Sequence, residues 1–388
     1  MRGGLSVVLG VVVVLMLATF PRGARAVEIE RVPVIVPDGD NLQYLAFWTA
    51  IGAGYFRDEA IEIDVKAPAA PPATMQLVQQ RTADVFVLPP PLYVQLIADK
   101  FPLFLVANLL QNDPINVVVR RSLMEERKLS ATAPLAERLA GLKGLRVGVA
   151  PGPPPRLRAL FASVGMDADR DVEIVILRGH DQNEVFGAKK VDVLYCHTPY
   201  LETALVEQDA VMLVNQSAGE VAKLAARQIH ALAVTHDLAR ARPDFVAALT
   251  RAIHRAEKLI HADAGATVDA VMRALPSLDR KKVETIVAIY APAVPLTPRV
   301  SVDGIDPSLV LYPASRAPPD LRGIDLHDYV APAFAERVLA DEARMVAEKA
   351  KAAQPWWQRR ARWLAASAAI AIVIALAALR RRLRARAR

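Results

Sequence analysis

The residues best suited to chemistry follow short apolar runs. Asp38, Asp40, Gln43 and Tyr44 come directly after the β-branched run 32–36. Carboxylate, amide and phenol groups placed there can hold a small molecule by hydrogen bonds. In a strand–helix–strand unit this loop sits at the strand's carboxyl end, where open α/β folds bind ligands. Each residue also has a plainer use: Asp40 or Asn41 can cap the next helix, and Tyr44 can be core. Thr74, at an expected helix start, is a hydroxyl donor or another cap. His180 with Asp181, and His197 with Thr198, follow two later apolar runs; a single histidine in such a place is more often structural than functional. Covalent and metal chemistry is poorly served. No histidine or acid cluster has metal-ligand spacing, Asp192 and His197 across a strand end included. Ser163, Ser217 and Cys196 have no nucleophile motif around them. VGVAPGPPP lacks the closing Gly-Lys-Ser/Thr of a phosphate loop. The expectation is a site with no catalytic residue, no metal and no cofactor.

The elements that must position these side chains are legible in outline. Residues 32–66 read as strand, polar loop, helix, tight turn, strand. Val32, Val34, Ile35 and Val36 suit a strand buried on both faces. Tyr44, Phe47, Trp48, Ile51 and Tyr55 recur at helical spacing on one face. Ile61, Ile63 and Val65 alternate with charged residues as a second strand. The same grammar recurs over 145–177: strand 145–150, a Pro/Gly loop, helix 156–164 stopped by Gly165, and strand 172–177. Two such units point to two α/β lobes that each offer a strand-end loop to a shared cleft; one larger doubly wound sheet is the alternative. Further strands are expected at 85–88, 103–107, 117–119, 191–195, 211–214 and 230–234. Strand 117–119 is taken as the first crossover between lobes and 230–234 as the return. Helices at 243–261, 267–275, 280–290 and 333–352 are expected to complete lobe one, and 292–319 reads as proline-rich and mostly irregular.

The 388 residues are 53% hydrophobic and 23% charged, enough for two domain-sized cores. The formal net charge of +7 belongs to the ends. Residues 1–26 carry three arginines and residues 359–388 nine, with no acid in either segment; without those twelve the rest holds 36 basic and 41 acidic residues, net −5. A mildly acidic body argues against a nucleic-acid partner. Residues 1–26 have an n-region arginine, an apolar run and a final Ala-Arg-Ala, the pattern of a cleaved secretory signal; an uncleaved anchor is the alternative. Cys196 is the single cysteine, so no intramolecular disulfide can form. Residues 363–379 are 17 uncharged residues between tryptophans and arginines. They are expected to span a membrane, with 380–388 as a basic cytoplasmic tail.

In order and spacing, several strings resemble solute-binding proteins of ABC importers, in the branch that serves nitrate, sulfonates, taurine and thiamine pyrimidine precursors. They are AIGAGYFRDEAIEIDV (50–65), RTADVFV (81–87), NDPINVVVR (112–120), LAGLKGLRVGVAPG (139–152), VGMDADRDVEIVIL (164–177), KKVDVLYCHTPY (189–200), ARPDFVAALTRAI (241–253) and DLHDYVAPAFAERVL (325–339). The resemblance covers roughly residues 32–340. It implies an α/β two-lobed periplasmic-binding-protein fold, two Rossmann-like lobes joined by two crossover strands, behind a signal peptide and ahead of a transmembrane helix. The expected division is signal peptide 1–26, lobe one 27–118 and 232–353, lobe two 119–231, linker 354–362, transmembrane helix 363–379 and tail 380–388.

The resemblance also implies a cleft at the strand carboxyl ends. Its candidate ligand contacts are Asp38, Asp40, Gln43, Tyr44, Thr74, Pro90, Asn112, Asp113, Arg156, His180, His197 and Thr198. Asn112 and Asp113 can equally be turn formers. Anion-binding members place glycine, serine or threonine after the first strand of lobe two; here that loop is Pro151-Gly152-Pro153-Pro154-Pro155, and proline has no N–H to offer. Arg156 and Arg158 either replace those donors by charge or face solvent. Asp38 and Asp40 would repel an anion, so a neutral or partly cationic small organic solute is expected. The implied function is a membrane-tethered extracytoplasmic protein that delivers a solute to permease and ATPase subunits by cleft closure. A ligand sensor coupled to a membrane signalling partner, or an exported enzyme related to thiamine pyrimidine synthesis, is the alternative.

Overall fold

The computed structural model describes residues 28–68, 71–305, 321–353 and 356–386. Two separate five-stranded sheets form the framework. In the first, β1 (Glu30–Ile35) pairs in parallel with β2 (Ile61–Lys66) and β3 (Val85–Leu88). The edge strand on the far side from β2 is β4 (Leu103–Leu110). The second sheet has β5 (Asn116–Arg120), β6 (Arg146–Val149), β7 (Glu173–Ile176), β8 (Val193–Cys196) and β9 (Ala210–Val214), in the order β7-β6-β8-β5-β9. The chain then returns as β10 (His230–Thr235), which lies antiparallel between β3 and β4, giving β2-β1-β3-β10-β4. The two orders match: three parallel strands, one antiparallel strand, then an edge strand.

That pattern rules out one continuous sheet and shifts the crossovers. The strands at 117–119 and 230–234 are not themselves the crossing segments. β5 pairs antiparallel with β8 and β9 in the second sheet, and β10 pairs in the first. The chain passes between sheets at 111–115 and 215–229.

The β-branched runs explain the strands. Val34, Ile35 and Val36 are fully buried, as a parallel strand covered by helices on both faces requires. Asn41 caps the turn after β1 by accepting from the Gln43 amide at 2.9 Å, and its carbonyl accepts from the Trp48 indole at 2.9 Å. These contacts set the entry of helix α1 (Leu45–Gly52). In the second sheet, helix α2 (Pro154–Ala162) follows β6 and helix α3 (Tyr200–Glu207) follows β8. The long helix α4 (Pro243–Ala262) buries Val246, Leu249, Ile253, Ala256 and Ile260 on one face. It is followed by α5 (Ala264–Ala274) and α6 (Arg280–Tyr290).

Helix α6 departs from expectation, since it does not simply complete lobe one. It packs on α5 and also on α3 of the second lobe, where Lys282 is 2.7 Å from Glu207 and 3.1 Å from the Thr203 hydroxyl. Val283, Ile286, Val287 and Tyr290 are fully buried in a core that includes Leu201 and Ala204 of α3.

The last helices are α7 (Pro332–Ala353) and α8 (Trp356–Arg386). Among the described residues no helix is long and apolar enough to cross a membrane. The expected transmembrane helix is therefore not supported. The expected signal segment 1–26 lies outside the described residues, as does 306–319 of the proline-rich stretch.

Candidate functional site

Where the two sheets face one another, a cavity of about 300 Å³ opens between the lobes, at the lower end of the usual small-molecule range. Its walls come from the loop after β1, the start of the helix Pro90–Ala98, the first crossing segment, the start of α2, the residue after β8 and the start of β10. The polar side chains in this lining are Asp38, Asn41, Gln43, Tyr44, Arg156, His197 and His230.

Two helices begin at this cavity, and both begin with proline. The start of Pro90–Ala98 is Pro89-Pro90-Pro91, and the start of α2 is Pro153-Pro154-Pro155. The first N–H groups after each run, those of Leu92 and Arg156, are used within the turn by Pro89 O at 3.0 Å and Pro153 O at 2.9 Å. An anion seated on a helix end needs exposed backbone N–H groups, and neither start offers them here. With Pro37, Pro114, Leu92, Ile115 and Ile229, the prolines make much of the wall apolar.

Polar recognition is left to side chains. Gln43 sits between two histidines from different lobes. Its amide is 2.9 Å from Nδ1 of His197 in lobe two and 3.0 Å from Nε2 of His230 on β10. Burial lowers the pKa of both rings, and the nearby Arg156 charge lowers them further; His230 falls to about 3. Both are therefore neutral at pH 7. The Tyr44 ring stands edge-on to His230, centroids 5.0 Å apart, and Nδ1 of His230 is buried with no hydrogen-bond partner.

Arg156 is anchored from behind. Its Nη1 lies 3.5 Å from Asp113, a carboxylate only 1% exposed that also faces Arg227 at 3.2 Å and accepts from the Ile115 amide at 3.0 Å. Nε of Arg156 has no partner. Behind His197, Thr198 donates its hydroxyl to Glu202 at 2.7 Å and its amide to the Tyr290 phenol at 3.1 Å.

The structure thus gathers Asp38, Gln43, Tyr44, Pro90, Arg156 and His197 at the cavity. Asp113 and Thr198 stand one layer behind it. Asn112 is a tie between crossing segments, bonded to Ser217 O at 3.0 Å and to the Ala226 amide at 3.1 Å. Asp40 is exposed and absent from the lining, because Asn41 is the cap. Thr74 is fully buried as the fourth residue of the helix Pro71–Gln79 and is absent from the cavity lining. His180 is exposed and pairs with Asp181 at 3.1 Å. Arg158 pairs with Asp169 on the outer face at 2.7 Å.

His230 is the main residue that sequence reasoning missed. Sequence pattern points to strand carboxyl ends. An antiparallel strand brings its amino end to the same edge, and Ala231 is opposite Leu88, the last residue of β3. A histidine opening a return strand is the signal that would have found it.

Comparison with known proteins places this architecture. No curated protein matches the chain. Among solved structures, a protein of Bordetella bronchiseptica RB50 aligns with a TM-score of 0.59 at 20% identity, covering 81% of this chain and 98% of that one. The putative sulfonate ABC transporter periplasmic protein SsuA of Methylobacillus flagellatus KT aligns at 0.58 and 15% identity, covering 81% and 96%. The alkanesulfonate-binding protein SsuA of Xanthomonas axonopodis pv. citri, bound to MOPS, aligns at 0.53 and 17% identity, covering 78% and 99%. At such identities the likeness is one of fold: an α/β, two-sheet, periplasmic-binding-like architecture. The family model described as NMT1/THI5 like matches residues 41–267, from the cap of the first loop to the end of α4 and into α5, and the chain belongs to that family.

Proposed function

We propose that this protein is an extracytoplasmic solute-binding protein that captures a small organic molecule between its lobes and hands it to the permease and ATPase subunits of an ABC importer. One observation carries the reading: the cavity is walled from both sheets at the two crossing segments, with Gln43 of one lobe bonded to His197 of the other. A ligand held there touches both lobes, so its binding energy differs between open and closed forms, which is what a population shift requires. The fold shared with sulfonate-binding proteins supports it, as does the export signal expected over residues 1–26. Cys196 is buried and its thiol is pushed up by burial, so it reads as packing rather than as a nucleophile.

The wall chemistry narrows the solute. Proline-sealed helix starts disfavour a bare inorganic oxyanion, and the apolar wall suits a solute with a hydrophobic body. The expected cationic character weakens, since Asp40 stands outside the lining and Arg156 within it. The test is small-angle scattering of the purified chain against a panel of organic solutes. The expected result is a fall in radius of gyration with at least one solute, abolished by Arg156→Glu. A solute bound with micromolar affinity and no compaction would sink the cleft-closure reading.

A further inference from the structure

We propose that Gln43 fixes the tautomers of His197 and His230 so that the cleft wall presents a free N–H at His230, making the site selective for solutes that bring a hydrogen-bond acceptor there. This rests on the solute-binding reading above and names the polarity of the group recognised.

The argument starts at His197. Its Nδ1 lies 2.5 Å from the carbonyl oxygen of Thr198. Two lone pairs at that separation repel, so the contact is favourable only if Nδ1 carries hydrogen. The ring is neutral and has one proton, which is then on Nδ1, donated to the Thr198 carbonyl. The Gln43 amide group beside the same Nδ1 must therefore turn its oxygen towards His197. A half-turn about the terminal side-chain bond exchanges the amide's two ends with almost no change of shape. The amide NH2 then faces Nε2 of His230 at the other end of the bridge and donates to it.

His230 is neutral as well, so with Nε2 accepting, its one proton is on Nδ1. That atom is buried and unpartnered, and the ring around it is 4% exposed and held by the Tyr44 edge contact. Nε of Arg156, in the same lining, is a second donor without a partner. Buried donors left unmade are unfavourable, and two on residues that line one cavity call for an acceptor: a carbonyl, a carboxylate oxygen or a pyridine-type nitrogen. The opposite amide orientation would put hydrogen on Nε2 of His230 and leave a lone pair on Nδ1, selecting donors instead.

The experiment is long-range proton–nitrogen correlation of the histidine-labelled chain at pH 7.5, without solute. The expected spectrum shows both rings protonated on Nδ1; a His230 protonated on Nε2, or averaged between the two, overturns the assignment. Gln43→Glu replaces the amide with a group that only accepts. It should switch His230 to the Nε2–H form and leave His197 unchanged, and a His230 pattern that does not switch counts against the proposal. If that variant does not fold, Gln43→Met should leave His230 averaged. Pyridine and pyrrole, neutral rings of similar size and opposite hydrogen-bond polarity, then probe the wall. Pyridine should shift the His230 signals at a concentration roughly tenfold lower than pyrrole, and equal or reversed response overturns the selectivity. The solute-free spectrum stands apart from the scattering test, so failure of the binding reading and failure of the tautomer assignment show up separately.

Discussion

The phenol of Tyr290 accepts from the Thr198 amide at 3.1 Å and donates to the Pro114 carbonyl at 3.0 Å. One hydroxyl thus joins the loop that carries His197 to the first crossing segment, from a helix packed on both lobes. Any movement of that loop against the crossing must strain or break this bridge. In Tyr290→Phe the Pro114 carbonyl keeps the Asn116 amide at 3.2 Å, but the buried Thr198 N–H loses its partner. The expected loss is about 1–3 kcal/mol of unfolding free energy, read from the urea midpoint. An unchanged midpoint would show that the bridge is not made in solution.

Gly52 is where α1 and α5 cross. A Cβ built there would stand 1.8 Å from the Ala270 carbonyl oxygen. That oxygen belongs to a helix backbone and cannot swing aside, so α5 would have to move from α1. Gly52→Ala is expected to destabilise by at least about 2 kcal/mol, beyond the small helix-propensity gain. Gly152→Ala, where an added Cβ meets nothing within 4 Å, is the matched control and should be near neutral. Equal stability of the two variants would mean that the helix crossing is looser than described.

The fold was largely legible because its inner strands are short β-branched runs buried by helices, and burial on both faces leaves a continuous apolar signature. Val34–Val36, Val85–Val87 and Val193–Leu194 all show it. Five of the seven polar side chains in the cleft lining were legible for a related reason: Asp38, Gln43, Tyr44, Arg156 and His197 all follow parallel strands. The rest depends on pairings that local pattern does not encode. His230 reaches the cleft because β10 runs antiparallel. The bonds from Gln43 to His197 and His230 join residues 154 and 187 positions apart. Thr74 misled because a hydroxyl near an expected helix start looks the same in sequence whether the helix begins there or three residues earlier.

Arg156 can be tested through its field. Its charge opposes protonation of both His197 and His230, after burial the main reason their pKa values fall. Arg156→Gln keeps a polar side chain beside Asp113 and removes the charge. Both histidines should then titrate at higher pH than in the parent chain, measured by nitrogen chemical shifts. Unmoved or lower values would place the guanidinium away from the rings. The same variant leaves Asp113 with Arg227 as its remaining close cation.

The outer face of lobe one predicts how stability falls at mildly alkaline pH. His254 on α4 lies 3.3 Å from Glu257 and 2.8 Å from Glu342 of α7, and Lys258 also pairs with Glu342. Burial opposes the charge on His254, but its hydrogen bonds to Glu257 and Glu342 outweigh it and its pKa is raised. Burial pushes Glu257, which is fully enclosed, up to about 8. In both cases the folded chain holds protons that the unfolded chain, near 6.5 for histidine and 4.3 for glutamate, gives up sooner. Their contribution is therefore complete at low pH and is lost as pH rises towards 8. His230 works the other way: its folded value of about 3 lies below the unfolded one, so its contribution is complete above about 6.5 and is lost as pH falls. Between about 4.3 and 6.5 these slopes oppose each other, and above about 6.5 only the falling one remains. The chain should be less stable at pH 8 than at pH 6.5, by on the order of 1–2 kcal/mol, in urea titrations at constant ionic strength. Glu257→Gln, which stays neutral while still able to bond His254, should remove most of that loss. A parent chain equally or more stable at pH 8 would mean that the buried carboxyl already ionises at neutral pH, and the joint between α4 and α7 would then have to hold a compensating charge besides His254.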